Sequence, residues 1–87
     1  MCKLHVNFES KSAVPADRIE AALQQHGVTA TVNQHFSSSK ADYSARIRGE
    51  NNVEALDTFC AERGLKQQDY VAALALLANE SSVHQPA

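Results

Sequence analysis

The side chains with most capacity for chemistry in this chain are its histidines, its two cysteines and a pair of arginines at positions 46 and 48. His5 and His35 fall on neighbouring strand candidates, and a metal held there would need a third donor from His26, Asp42 or a cysteine. The HxH, HxxxH and CxxC spacings that build such sites do not occur, so no metal and no cofactor is expected. Nucleophilic catalysis needs a serine or cysteine beside a base. The run Ser37-Ser38-Ser39 supplies hydroxyls but has the composition of a turn. The carboxylate pairs Asp17/Glu20 and Glu54/Asp57 lie one helical turn apart and read as solvated helix faces. Gly27, Gly49 and Gly64 are isolated and each is placed to end an element, which is unlike a phosphate-cradling loop. An enzyme is therefore not expected. What remains is recognition: Arg46 and Arg48, two apart on a strand, project from one face. With Lys3 and His5 nearby they could meet acidic protein or phosphate.

The elements that must position these residues are legible as periodicities. Leu4, Val6 and Phe8 alternate with Lys3, His5 and Asn7 over residues 2–8, as in a half-buried strand. Pro15 suits the first turn of a helix and Asp17 its positive end; Ile19, Ala22 and Leu23 form the stripe, and Gly27 is the stop. A second strand is predicted over 28–36, with Val28, Ala30 and Val32 inward and Thr29, Thr31 and Asn33 outward. Residues 37–42 read as a polar hairpin connector. Tyr43, Ala45 and Ile47 then alternate with Ser44, Arg46 and Arg48 in a third strand that Gly49 ends. Asn51 or Asn52 is placed to cap a helix with the stripe Val53, Leu56, Phe59 and Cys60. Gly64 and Leu65 fit a Schellman turn. From Gln67 onward Tyr70, Val71, Leu74, Leu77 and Ala78 mark a last helix. The fold class is α+β, ordered β-α-β-β-α-α: a three-stranded antiparallel sheet with helices on one face. Residues 1–80 form one domain and 81–87, with Pro86, a flexible tail.

Composition narrows the function classes. A chain of 87 residues buries only about 60–65% of its extended surface, which makes a homodimer an expected support. Eight basic against ten acidic residues give a net charge of −2, without the basic excess of a sequence-independent nucleic-acid binder. Cys2 and Cys60 form no disulfide framework, no secretory leader is read, and a reducing cytoplasm is the expected compartment. Cys60 lies in an apolar stripe and reads as a small buried hydrophobe. No apolar run reaches the ~20 residues of a membrane span, so no membrane partner is expected.

If the three strands share a sheet, its outer face is polar throughout, either a solvated surface or a contact surface for a partner. The contact reading places Lys3, His5, Arg46 and Arg48 against another macromolecule, a protein in the first instance, and makes the chain a small binding or regulatory protein of bacterial or phage type. Two resemblances bear on this. Tyr43-Ser44-Ala45-Arg46-Ile47-Arg48, the helix from Asn52 to Arg63, the turn Gly64-Leu65-Lys66-Gln67-Gln68 and the helix from Asp69 to Ala78 resemble the ribbon-helix-helix family of bacterial DNA-binding regulators. That resemblance implies a ribbon formed by one strand from each of two subunits in the major groove. Ser44, Arg46 and Arg48 would then read bases, and Lys66 with the Gln67 and Gln68 amides would hold a phosphate. The β-α-β-β-α order is also similar to the first five elements of the ferredoxin-like superfold, which hosts many functions.

Overall fold

Alternating apolar side chains become three strands and helical stripes become three helices in the computed structural model, which describes residues 3–11, 13–37 and 40–83. The elements are β1 (Lys3–Ser10), α1 (Ala16–Gln25), β2 (Ala30–Ser37), β3 (Lys40–Arg48), α2 (Glu50–Glu62) and α3 (Tyr70–Val83). The fold is α+β. The sheet order is β1-β3-β2, and β3 is antiparallel to both neighbours. The two outer strands therefore run the same way, with α1 crossing between them and β3 inserted, a split β-α-β arrangement.

The register sorts side chains into two faces. Leu4, Ile47 and Ala30 form one inner row; Val6, Ala45 and Val32 form the next; Phe8, Tyr43 and Gln34 form a third. These rows meet Ile19 and Leu23 of α1, Leu56, Phe59 and Cys60 of α2, and Leu74 and Leu77 of α3 in one core. Within the helical layer α3 packs on β1, α1 on β2 and α2 on β3.

Two helix ends carry the same device. Val28 N–H donates to Leu23 O (2.9 Å) and Gly27 N–H to Gln24 O (2.9 Å); Leu65 N–H donates to Cys60 O (2.9 Å) and Gly64 N–H to Ala61 O (3.2 Å). Both are Schellman turns. Their glycines stand at φ 81° and 70°, a region where a Cβ is strained.

Several boundaries differ from the sequence reading. Val28 is not the first residue of β2 but the buried apolar residue that closes the α1 turn. β1 continues through Ser10, because its ladder with β3 outlasts the apolar alternation. β2 and β3 likewise extend to the pair Ser37–Lys40, so most of the expected connector is strand; Ser38 and Ser39 lie outside the described residues. Pro15 is the N-cap of α1 rather than its first helical residue. Gly49, at φ 95°, holds the N-cap of α2, the place expected for Asn51 or Asn52. Asn52 instead joins two segments: its Nδ2 donates to Arg48 O (2.8 Å) and its Oδ1 accepts from Thr29 N–H (3.0 Å). The last helix begins at Tyr70 rather than Gln67, because Asp69 Oδ1 caps it by accepting from Ala72 N–H (3.2 Å). It runs to Val83, into the expected tail, and 84–87 lie outside the described residues. Among the described residues no helix is long and apolar enough to cross a membrane.

Tyr43 fastens the loop before α1 to the centre of the sheet. Its hydroxyl donates to Val14 O (2.8 Å) and accepts from Val14 N–H (2.7 Å), while its ring stacks on Phe8 at 5.2 Å. Tyr43→Phe keeps the ring and strands two buried backbone groups. It is expected to lose about 2–4 kcal/mol in urea denaturation with an unchanged m-value.

Candidate partner-binding face

The outer sheet face takes its order from the same register. Along it, Lys3 lies opposite Arg48; His5, Arg46 and Thr31 form a row; Asn7, Ser44 and Asn33 form the next; Glu9, Asp42 and His35 form the last. Alternation alone puts these residues on one face. The pairing adds that Lys3, His5, Arg46 and Arg48 gather at one end and two carboxylates at the other, so the face is polarised along the strands.

The cationic end is exposed at all four positions. Lys3 directly faces Arg48, and His5 directly faces Arg46. The Lys3–Arg48 pair sets like charges opposite each other on antiparallel strands, which costs roughly 0.2–1 kcal/mol. Among the described residues, neither arginine has an ion pair or a hydrogen-bond partner for its side chain. Arg63 on the helical side differs: it is paired with Glu80 and lies over the Phe59 ring at 5.0 Å. A shallow cavity of about 330 Å³ opens beside the free arginines, where Thr29 and Thr31 of the neighbouring segment and Asn52 add hydroxyl and amide groups. Two guanidinium groups with hydroxyls alongside are suited to carboxylate or phosphate oxygens.

Sequence reasoning singled out the four cationic residues, and the fold brings them together. The same reasoning placed Thr29 and Thr31 outward without assigning them to the contact, and it did not single out Asn52 there or the acidic row at the opposite end. Period two assigns a residue to a face, whereas knowing its cross-strand neighbour requires the strand order.

Ser44 is outward-facing but 7% exposed, covered by its neighbours, and its Oγ lies 3.2 Å from His35 Nε2. A serine beside an imidazole is the start of a nucleophile–base pair. Here the amides around it belong to ladders with β1 and β2, so they are not aimed at a developing oxyanion. His5 and His35 stand at opposite ends of the face, and His26 is in the helical layer, edge-on to Phe59 at 4.7 Å. Among the described residues, no group of three potential ligands converges on a metal-sized site. Cys60 is buried, with Sγ 3.9 Å from Asp69 O. Desolvation, helped by the charges of Asp57 and Asp69, pushes its thiol above the ordinary value of 9.0, which keeps it protonated and unreactive at neutral pH.

The ribbon-helix-helix geometry does not form in this fold. Its ribbon strand must offer an edge to a second subunit, and residues 43–47 are paired on both edges within the chain, with Arg48 paired to β1. The residues assigned to phosphate are also remote from those assigned to bases. Lys66 and Gln67 follow the far end of α2, whose 13 residues carry the chain about 20 Å from Arg48. Of the DNA-reading set, Arg46 and Arg48 share an exposed surface, Ser44 is buried, and Lys66 and Gln67 lie elsewhere.

Comparison with protein-family models, curated proteins and solved structures finds no match to this chain.

Proposed function

We propose that the protein is a non-enzymatic, cytoplasmic binding protein that uses the cationic end of its sheet to hold an acidic surface of another protein. The observation that carries this reading is the uncompensated cluster. Lys3 and Arg48 are set directly opposite each other, with Arg46 on the same face of β3, and their like charge is a cost to the fold that an anionic partner removes. The partner is an acidic protein rather than nucleic acid, because the carboxylates of Glu9 and Asp42 occupy the other end of the same face. A phosphate backbone tracking along the strands would run into them. A partner with a local acidic patch meets the cations alone, and the opposed charge at the far end sets its orientation.

The test is a pair of titrations followed by amide NMR, one with an oligoglutamate peptide and one with duplex DNA. Shifts confined to Lys3, His5, Arg46, Arg48 and their strand neighbours are expected with the peptide, fading as salt rises from about 0.05 to 0.3 M. Tighter binding of duplex DNA than of peptide at that face, or peptide shifts that avoid it, would overturn the proposal.

A further inference from the structure

A side chain interrupts the ladder between β2 and β3 at its cationic end. β3 pairs with β1 as far as Arg48, but with β2 only as far as Ala30 opposite Ile47. Val32 N–H is taken by Glu20 Oε2 of α1 at 2.8 Å and so points away from β3. Direction alternates along an antiparallel ladder, so Thr31 exchanges bonds with Arg46, and the next bonded pair would be Thr29 with Arg48. That pair does not form. Thr29 N–H donates to Asn52 Oδ1 (3.0 Å), and Arg48 O accepts from Asn52 Nδ2 (2.8 Å). The amide carried by α2 stands as an inserted rung, bonded to the donor and the acceptor that would otherwise meet.

The cavity of about 330 Å³ lies at this rung. Thr29, Ala30 and Thr31 line it from one strand segment, Arg46 and Arg48 from β3, and Asn52 from α2. Among the described residues no carboxylate lines it. Lys3 and His5 lie across β3 from it, opposite Arg48 and Arg46. The cationic end therefore has two parts, an open half on β1 and a recess between β3 and the segment before and into β2. Each guanidinium offers five N–H donors, each threonine a hydroxyl, and Asn52 Nδ2 a second proton. Alternate residues of a strand stand about 7 Å apart, so the long side chains of Arg46 and Arg48 reach one anion between them.

Charge and oxygen count select the class of that anion. A carboxylate brings one charge and two oxygens, which a single arginine fork satisfies. A phosphate monoester brings nearly two charges and three acceptor oxygens, a match for two guanidinium groups with hydroxyls beside them. We propose that the recess holds one phosphorylated side chain, a phosphoserine on the acidic partner. This rests on the acidic-partner reading and sharpens it. Lys3 and His5 meet the surrounding carboxylates, Arg46 and Arg48 grip the phosphate, and phosphorylation of the partner strengthens the contact.

Three oligoglutamate peptides that differ only in a central serine, glutamate or phosphoserine test this by fluorescence anisotropy at about pH 7.5, where phosphoserine is close to a dianion. The phosphoserine peptide is expected to bind about tenfold more tightly than the glutamate peptide, and it alone should shift the side-chain amide resonances of Asn52. Arg46→Lys with Arg48→Lys keeps both charges and removes both forks. With native circular dichroism, this variant is expected to prefer phosphoserine over glutamate by less than about threefold. A phosphoserine peptide that binds no more tightly than the glutamate peptide overturns the recess, while shifts of the cationic face by both leave the acidic contact standing. A preference that survives intact in the double lysine variant overturns it too. No shift of that face with any of the three peptides overturns both proposals.

Discussion

Phe59→Ala is expected to bring the protein to the edge of unfolding. The ring is 1% exposed, and truncating a buried phenylalanine costs about 3–5 kcal/mol, from lost transfer energy and the cavity left behind. A chain of 87 residues has a total stability of about 4–13 kcal/mol, so one side chain accounts for a large share. The site has little means of closing the cavity. Phe59 follows the apolar stripe of α2, receives the edge of His26 at 4.7 Å from the end of α1, and carries Arg63 over its face at 5.0 Å. Both neighbours are polar at their tips and gain nothing by collapsing into a dry space. Thermal unfolding by circular dichroism should show a midpoint lower by roughly 15–30 °C. His26→Ala, which removes only the edge contact, should lower it by about 5 °C. A Phe59→Ala midpoint within about 5 °C of wild type would mean that α2 is not anchored through this ring.

Much of this architecture is legible in the residues, and the limits of that legibility are physical. Phe59 is found from sequence because a helix must hide one stripe, and Val53, Leu56, Phe59 and Cys60 repeat at that spacing. Gly64 followed by Leu65 announces a Schellman turn because only glycine takes its backbone angle without strain. Asn52 was misread for a reason of the same kind. Local chemistry makes asparagine a good cap, but here its amide finds Arg48 O and Thr29 N–H, partners that only the folded chain brings near. Hairpin length was underestimated because residues 40–42 lack apolar alternation, and backbone pairing does not require it. The candidate site shows the same boundary. That Arg46 and Arg48 face outward follows from period two. That they face His5 and Lys3 follows from β1 lying next to β3, and no periodicity contains that information.

Reversing both arginines, Arg46→Glu with Arg48→Glu, is expected to abolish the acidic contact while leaving the fold as stable or more so. In the parent, Arg48 is opposite Lys3 and Arg46 opposite His5. In the variant, the glutamate at position 48 faces Lys3 instead. Opposite charges in that position contribute roughly 0.2–1 kcal/mol per pair, where like charges cost a similar amount. Neither arginine is buried, so no core contact is lost. Affinity for an oligoglutamate peptide should fall by about 100-fold, equivalent to about 1.4 kcal/mol for each arginine. The loss should shrink as salt screens the surface. A reversal that weakened binding merely by damaging the domain would lower stability as well, so fluorescence anisotropy and urea denaturation on the same samples separate the two causes. Lys66→Glu reverses a charge beyond the far end of α2 and should leave peptide affinity within about twofold, a change of about 0.4 kcal/mol. Unchanged affinity in the double arginine variant, or an equal loss from Lys66→Glu, would place the contact away from the sheet and end this reading of the face.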